Sequence, residues 1–143
     1  MKLISKSALL LLISAILFLL LSGNLLSGSP VVITGQLLAV ALAVWARRSF
    51  GTAQFNIHAE PVSKSLIAAG PYQFIRHPMY AAALLLIWAS IAGHVSLLTV
   101  IIGVLVTAAI LILIITEEKL LQASYPDYEA YAGTTKRIIP FVF

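Results

Sequence analysis

The run MYAAALLLIWASIAGHVSLLTVIIGVLVTAAILILII, residues 79–115, contains no Asp, Glu, Lys or Arg. A stretch of this kind belongs in hydrocarbon, where a helix satisfies all of its own backbone hydrogen bonds. One unbroken helix of this length would be roughly 55 Å long, against a hydrocarbon core of about 30 Å. The run therefore has to fold back on itself, and Gly93-His94 is the best place for the break. This predicts a short helix over about 78–92 and a second over about 95–116, joined as a tight hairpin.

Two further apolar stretches precede it, over about 7–26 and 30–46. Pro30 suits the first turn of a helix and Trp45 an interface. The first stretch is long for the apolar core of a cleaved leader, and its candidate cleavage site is followed by Pro30, so it reads as a span. The expected fold is all-α: a polytopic membrane helical bundle of four transmembrane helices in a single domain over 1–143. A loop over 47–77 and a tail over 117–143, the latter an interfacial helix or extended segment, complete it. Composition agrees, since 61% of the residues are apolar and only 10% are charged, well below the usual quarter.

The basic residues orient the bundle. Lys2 and Lys6 precede the first span, Arg47, Arg48, Lys64 and Arg76 fall between the second and third, and Lys119, Lys136 and Arg137 follow the fourth. The two connections on the other side carry no charge. Short loops rich in Lys and Arg stay in the cytoplasm, so both termini are expected there, in a multi-pass protein of a prokaryotic cell membrane. The net charge of +4 does not point to nucleic acid, because it is spread thinly and no aromatic stacking platform accompanies it. With no Cys and only three scattered His, disulfides, thiolate nucleophiles and familiar zinc patterns are excluded, and no metal is expected.

Chemistry then has to lie on the cytoplasmic face. Pro78 opens the third helix with Arg76 and His77 beside its positive end, an environment that favours an anion from a ligand or from the protein itself. Glu117 and Glu118 stand at the far end of the hairpin, near the hydrocarbon boundary, where acidic residues usually have a partner or a task. The hairpin can bring the two pairs together, either as a structural salt bridge or as a site. Tyr125, Tyr128 and Tyr131 recur at helical spacing and suit either an interface anchor or ligand contact. Gln36, Thr34, Ser90, Thr99 and Thr107 read as interhelical hydrogen-bonding groups, and His94 and His58 as turn and loop residues.

The ordered series Gly70-Pro71-Tyr72, Arg76-His77-Pro78-Met79-Tyr80, Glu117-Glu118 with Leu121, then Tyr128, Tyr131, Arg137 and Pro140 resembles the isoprenylcysteine carboxyl methyltransferase and phospholipid methyltransferase group of integral membrane enzymes. The similarity runs from about Trp45 to Pro140. Two departures stand out: Ala82 where the group usually has Gly, and Tyr125-Pro126 where it usually has Phe-Gly.

The resemblance implies S-adenosylmethionine bound at the cytoplasmic side and methyl transfer to a lipophilic small-molecule or lipidated acceptor arriving from the bilayer. It implies Gly70, Tyr72, His77, Pro78, Tyr80, Glu117 and Glu118 as cofactor-binding residues and Arg76, His77 and Glu118 as catalytic ones. No G-x-G-x-x-G is present, so helices and tail would have to build the nucleotide site. A carboxylate or thiolate acceptor needs no base, whereas an amine does, with His77 or a glutamate as the candidate. Two other functions fit the same pattern, an NADPH-dependent membrane reductase and a non-catalytic membrane subunit that keeps the fold.

Overall fold

The computed structural model describes residues 2–49 and 68–140. Its order is α1 (Lys2–Leu21), α2 (Pro30–Ser49), a short 3-10 turn (Gly70–Gln73), α3 (Pro78–Gly93), α4 (Leu97–Ser124) and α5 (Tyr128–Thr134). No strand lies among the described residues, and the all-helical expectation holds. His58 and Lys64 lie outside the described residues.

The predicted hairpin is present, and local chemistry explains where it turns. Gly93 ends α3 against α2's entry: a Cβ there would lie 2.8 Å from that of Ser27. Ser96 then caps α4 reciprocally, its hydroxyl accepting from Thr99 N–H at 3.2 Å while Ser96 N–H donates to the Thr99 hydroxyl at 2.9 Å. His94 is a turn residue as expected, and its Nε2 lies 2.9 Å from the Leu26 carbonyl.

Several helix boundaries differ from the expectation, α1 beginning already at Lys2 and α4 only at Leu97. Helix α1 ends at Leu21, earlier than residue 26, because Gly23 adopts φ +72° and lets the following amides of Asn24 and Leu25 close on the Leu19 carbonyl at 2.8 Å. Helix α2 continues to Ser49, with Arg47 and Arg48 at the end of the dipole that favours cations. Helix α4 continues past 116 to Ser124, since no breaker occurs before Pro126 and Lys119-Leu120-Leu121-Gln122-Ala123 are good helix formers. Glu117 and Glu118 therefore sit inside a helix with two turns beyond them.

Helix α3 packs most extensively on α2 rather than on its hairpin partner α4. The approach is close where Gly35 faces Ala89, whose Cβ would be 2.9 Å from one added at Gly35. Gln36 reaches across to the buried Ser90 hydroxyl at 2.9 Å, an interhelical bond of the expected kind. Against α4, Gly103 admits Ile91 and Trp88, and the Trp88 indole donates to the Thr107 hydroxyl at 3.1 Å. The core gathers Ala15 and Leu19 of α1, Ile87 and Ile91 of α3, and Val106, Ile110 and Ile114 of α4.

Outside that core the helices present bare apolar side chains, among them Leu37, Leu38, Leu97, Leu98, Val104 and Ile112. So many exposed large apolar side chains suit contact with a membrane. Helices α2 and α4 are long and apolar enough to cross a bilayer, while Leu10–Leu21 and Pro78–Gly93 are shorter apolar helical segments.

Candidate functional site

Polar side chains collect at the end of the bundle where α2 finishes, α3 begins and α4 delivers its glutamates. Arg76 precedes α3 and points across to α4, where its Nε donates to Glu118 Oε1 at 2.9 Å. Its Nη1 donates to the carbonyls of Ala132, at 2.8 Å, and Thr135. Arg137 approaches Glu118 from the other side, its Nε donating to Oε2 at 2.9 Å. His77 Nε2 stands 3.4 Å from Glu118 Oε1, and its ring stacks on Tyr80 with centroids 5.6 Å apart. The anion that Arg76 holds is thus the chain's own Glu118.

This clasp fixes the tail. Arg76 N–H donates to the Lys136 carbonyl at 2.7 Å, His77 N–H to the Arg137 carbonyl at 3.0 Å, and Lys136 N–H to the Phe74 carbonyl at 3.1 Å, forming an isolated parallel bridge between Ile75 and Lys136. The Tyr131 hydroxyl donates to the Tyr72 carbonyl at 2.7 Å. Tail, α4 and the segment before α3 are therefore one unit around two carboxylates.

The two glutamates differ. Glu118 accepts from two guanidinium groups, and its side chain is only 12% exposed. Glu117 Oε2 is buried with no hydrogen-bond partner among the described residues, since His77 Nδ1, at 3.8 Å, is beyond hydrogen-bonding distance. The Tyr80 hydroxyl interacts with this same carboxylate. A buried polar atom left in this state costs about 1–3 kcal/mol. Only one other buried side-chain polar atom among the described residues lacks a partner, the Tyr128 hydroxyl. Burial, then the Glu117 charge, pushes the Tyr72 hydroxyl above its ordinary range; burial, opposed by Arg76, takes that of Tyr131 up to about 12.

Of the residues the sequence singles out, Tyr72, Arg76, His77, Tyr80, Glu117 and Glu118 converge here. Pro78 is fully buried in the first turn of α3. Gly70 does not face the cluster: at φ +60° it lies against α2, where a Cβ would come 2.0 Å from the Ser49 hydroxyl and 3.2 Å from the Trp45 indole nitrogen. Of the tail tyrosines Tyr128 is buried, at 2% exposed, which removes it as an anchor in the interface, while Tyr125 and Tyr131 are half-buried. Tyr128 and Tyr131, which the sequence offered as anchors or as ligand contacts, join the cluster, and Arg137 and Thr135 complete it without having been singled out as site residues. Three of them lie in the motif series, but no spacing rule says that the tail folds back beside residue 75.

A second feature flanks the ionic cluster. An apolar groove of about 650 Å³ runs between α2, α3 and the tail, walled by Leu42, Trp45, Phe74, Leu84, Trp88 and Ile139 among others. Ile75, Ala81 and Ile138 also line it, and each is the chain neighbour of a member of the cluster.

Fold and site together define a helical membrane protein whose buried ionic cluster sits at one end of the bundle beside a lipophilic groove. The chain belongs to the phospholipid methyltransferase family, whose model matches residues 24–128. The match includes α2, α3, α4 and both glutamates and stops at Tyr128, so Tyr131, Arg137 and Pro140 lie beyond it. No curated protein and no solved structure matches the chain.

Proposed function

We propose that the protein transfers a methyl group from S-adenosylmethionine to a lipophilic acceptor at the cytoplasmic face of the membrane. The observation that carries this reading is Glu117 Oε2, buried with no hydrogen-bond partner among the described residues and 3.8 Å from His77 Nδ1, in a cluster whose chain neighbours Ile75, Ala81 and Ile138 line the apolar groove. A carboxylate oxygen in that state calls for a ligand that brings a cation or a donor, and S-adenosylmethionine carries both. Glu117, Tyr80, Tyr72 and His77 would hold it. Bound there, it supplies a methyl group activated by the sulfonium.

The protein's own part is alignment and exclusion of water. Glu118 organises rather than binds, because both of its oxygens are already committed to Arg76 and Arg137. The groove takes the hydrocarbon of the acceptor, at a volume ordinary for a ligand pocket. For an amine acceptor His77, set between two carboxylates, is the base. Orientation follows from the nine basic residues, with four spans and both termini inside. Arg47, Arg48, Arg76, Lys119, Lys136 and Arg137 all stand at the end that holds the site.

Purified protein in lipid nanodiscs should bind labelled S-adenosylmethionine saturably, and Glu117→Gln should abolish that binding while keeping the melting temperature. Stabilisation by NADPH instead, or no binding of S-adenosylmethionine by folded protein, would overturn the proposal. Lipid mass spectrometry of cells with wild type or Glu117→Gln should then reveal the acceptor by a gain of one methyl group.

A further inference from the structure

Tyr128 opens α5 and is more deeply buried than any other tyrosine at the site. Its ring meets that of Tyr131 edge-on, with centroids 6.2 Å apart, and its hydroxyl has no hydrogen-bond partner among the described residues. Tyr131, one turn later, shows the contrast: its hydroxyl is engaged with the Tyr72 carbonyl. A phenylalanine at 128 would give the same ring packing without burying an unanswered hydroxyl. Arg76 holds α5 against the cluster through the carbonyls of Ala132 and Thr135, and the Tyr131 hydroxyl ties it to Tyr72, so Tyr128, 2% exposed, is buried on the cluster side of the tail. A phenol is neutral at physiological pH and therefore able to donate.

The two unanswered buried atoms of the described protein thus lie in one cluster: Glu117 Oε2, which needs a donor, and the Tyr128 hydroxyl, which can give a proton to an acceptor. A ligand end that carries an ammonium and a carboxylate side by side answers both. We propose that Tyr128 is a positioning residue for the amino-acid end of S-adenosylmethionine, its hydroxyl donating to the ligand carboxylate while Glu117 takes the ammonium. The inference rests on the methyl-transfer reading above and adds to it a residue from the tail and an orientation for the ligand.

The test uses two ligands that differ at that end, S-adenosylhomocysteine, which has it, and 5′-methylthioadenosine, which lacks it. Isothermal titration of Tyr128→Phe in nanodiscs should show S-adenosylhomocysteine weakened by about tenfold, the worth of one hydrogen bond to a charged group. Affinity for 5′-methylthioadenosine should be unchanged, and the ligand-free melting temperature equal to or above that of wild type. Tyr131→Phe, which breaks a bond seen in the structure, should instead lower the ligand-free melting temperature. Equal weakening of both ligands, no weakening of either, or a lowered ligand-free melting temperature for Tyr128→Phe overturns this assignment while leaving methyl transfer in place. Failure of wild type to bind either ligand overturns both.

Discussion

Adjacent glutamates with opposite situations give the site its logic. Glu118 is one anchor of a buried ion pair, with the Arg76 side chain 9% exposed and its own 12%. Removing one partner of such a pair strands the other, at about 3–5 kcal/mol. Glu118→Ala and Arg76→Ala are therefore expected to lower the melting temperature in detergent steeply. Arg137, with a side chain 40% exposed, makes the weaker half of the clasp, and Arg137→Ala should cost only about 0–1 kcal/mol. Arg76→Lys should not rescue: an ammonium cannot keep Glu118 and two tail carbonyls in one plane. The sequence marks Glu117 and Glu118 as a pair but holds nothing that divides their work. That division comes from the tail, which brings Arg137 to Glu118, while Oε2 of Glu117 keeps no hydrogen-bond partner among the described residues.

Among the elements, the tail and the α2–α3 contact decide most. Hairpin and breakpoint were legible because an uncharged run too long for one crossing has to turn, and Gly93 marks the turn. The Ser96-Leu97-Leu98-Thr99 cap was equally available in sequence and would have placed the start of α4. The β-like bridge between Ile75 and Lys136 was not legible: three backbone hydrogen bonds with no side-chain pattern fix it, across more than fifty residues of chain. Lys136→Pro removes the donor to the Phe74 carbonyl, and hydrogen exchange across 128–140 should rise, with about 1 kcal/mol or more of local stability lost. At the other contact, Gly35→Leu places side-chain atoms where Ala89 already stands. It should separate α2 from α3 and destabilise by about 1–3 kcal/mol, read as a lower melting temperature in lipid.

For the whole molecule, the distribution of charge proposes one arrangement in the membrane, and the absence of cysteine makes that arrangement easy to probe. Val95, in the turn before α4, and Lys119, in its last turns, are both exposed and stand toward opposite ends of that helix. In intact cells a membrane-impermeant maleimide should label Val95→Cys and should reach Lys119→Cys only after permeabilisation. The reverse pattern would place the site outside. The segment from Gly70 to Ala81 serves two surfaces at once, since Arg76, His77 and Tyr80 face the ion cluster while Phe74, Ile75 and Ala81 wall the groove. Leu42, Leu84, Leu85 and Ile139 complete that wall without joining the clasp. Exchanges among apolar residues at those four positions leave every charge partner in place. If the groove holds the acceptor as proposed, a lineage could use them to lengthen, shorten or broaden the hydrocarbon that fits there, step by step, while the ionic cluster stays intact.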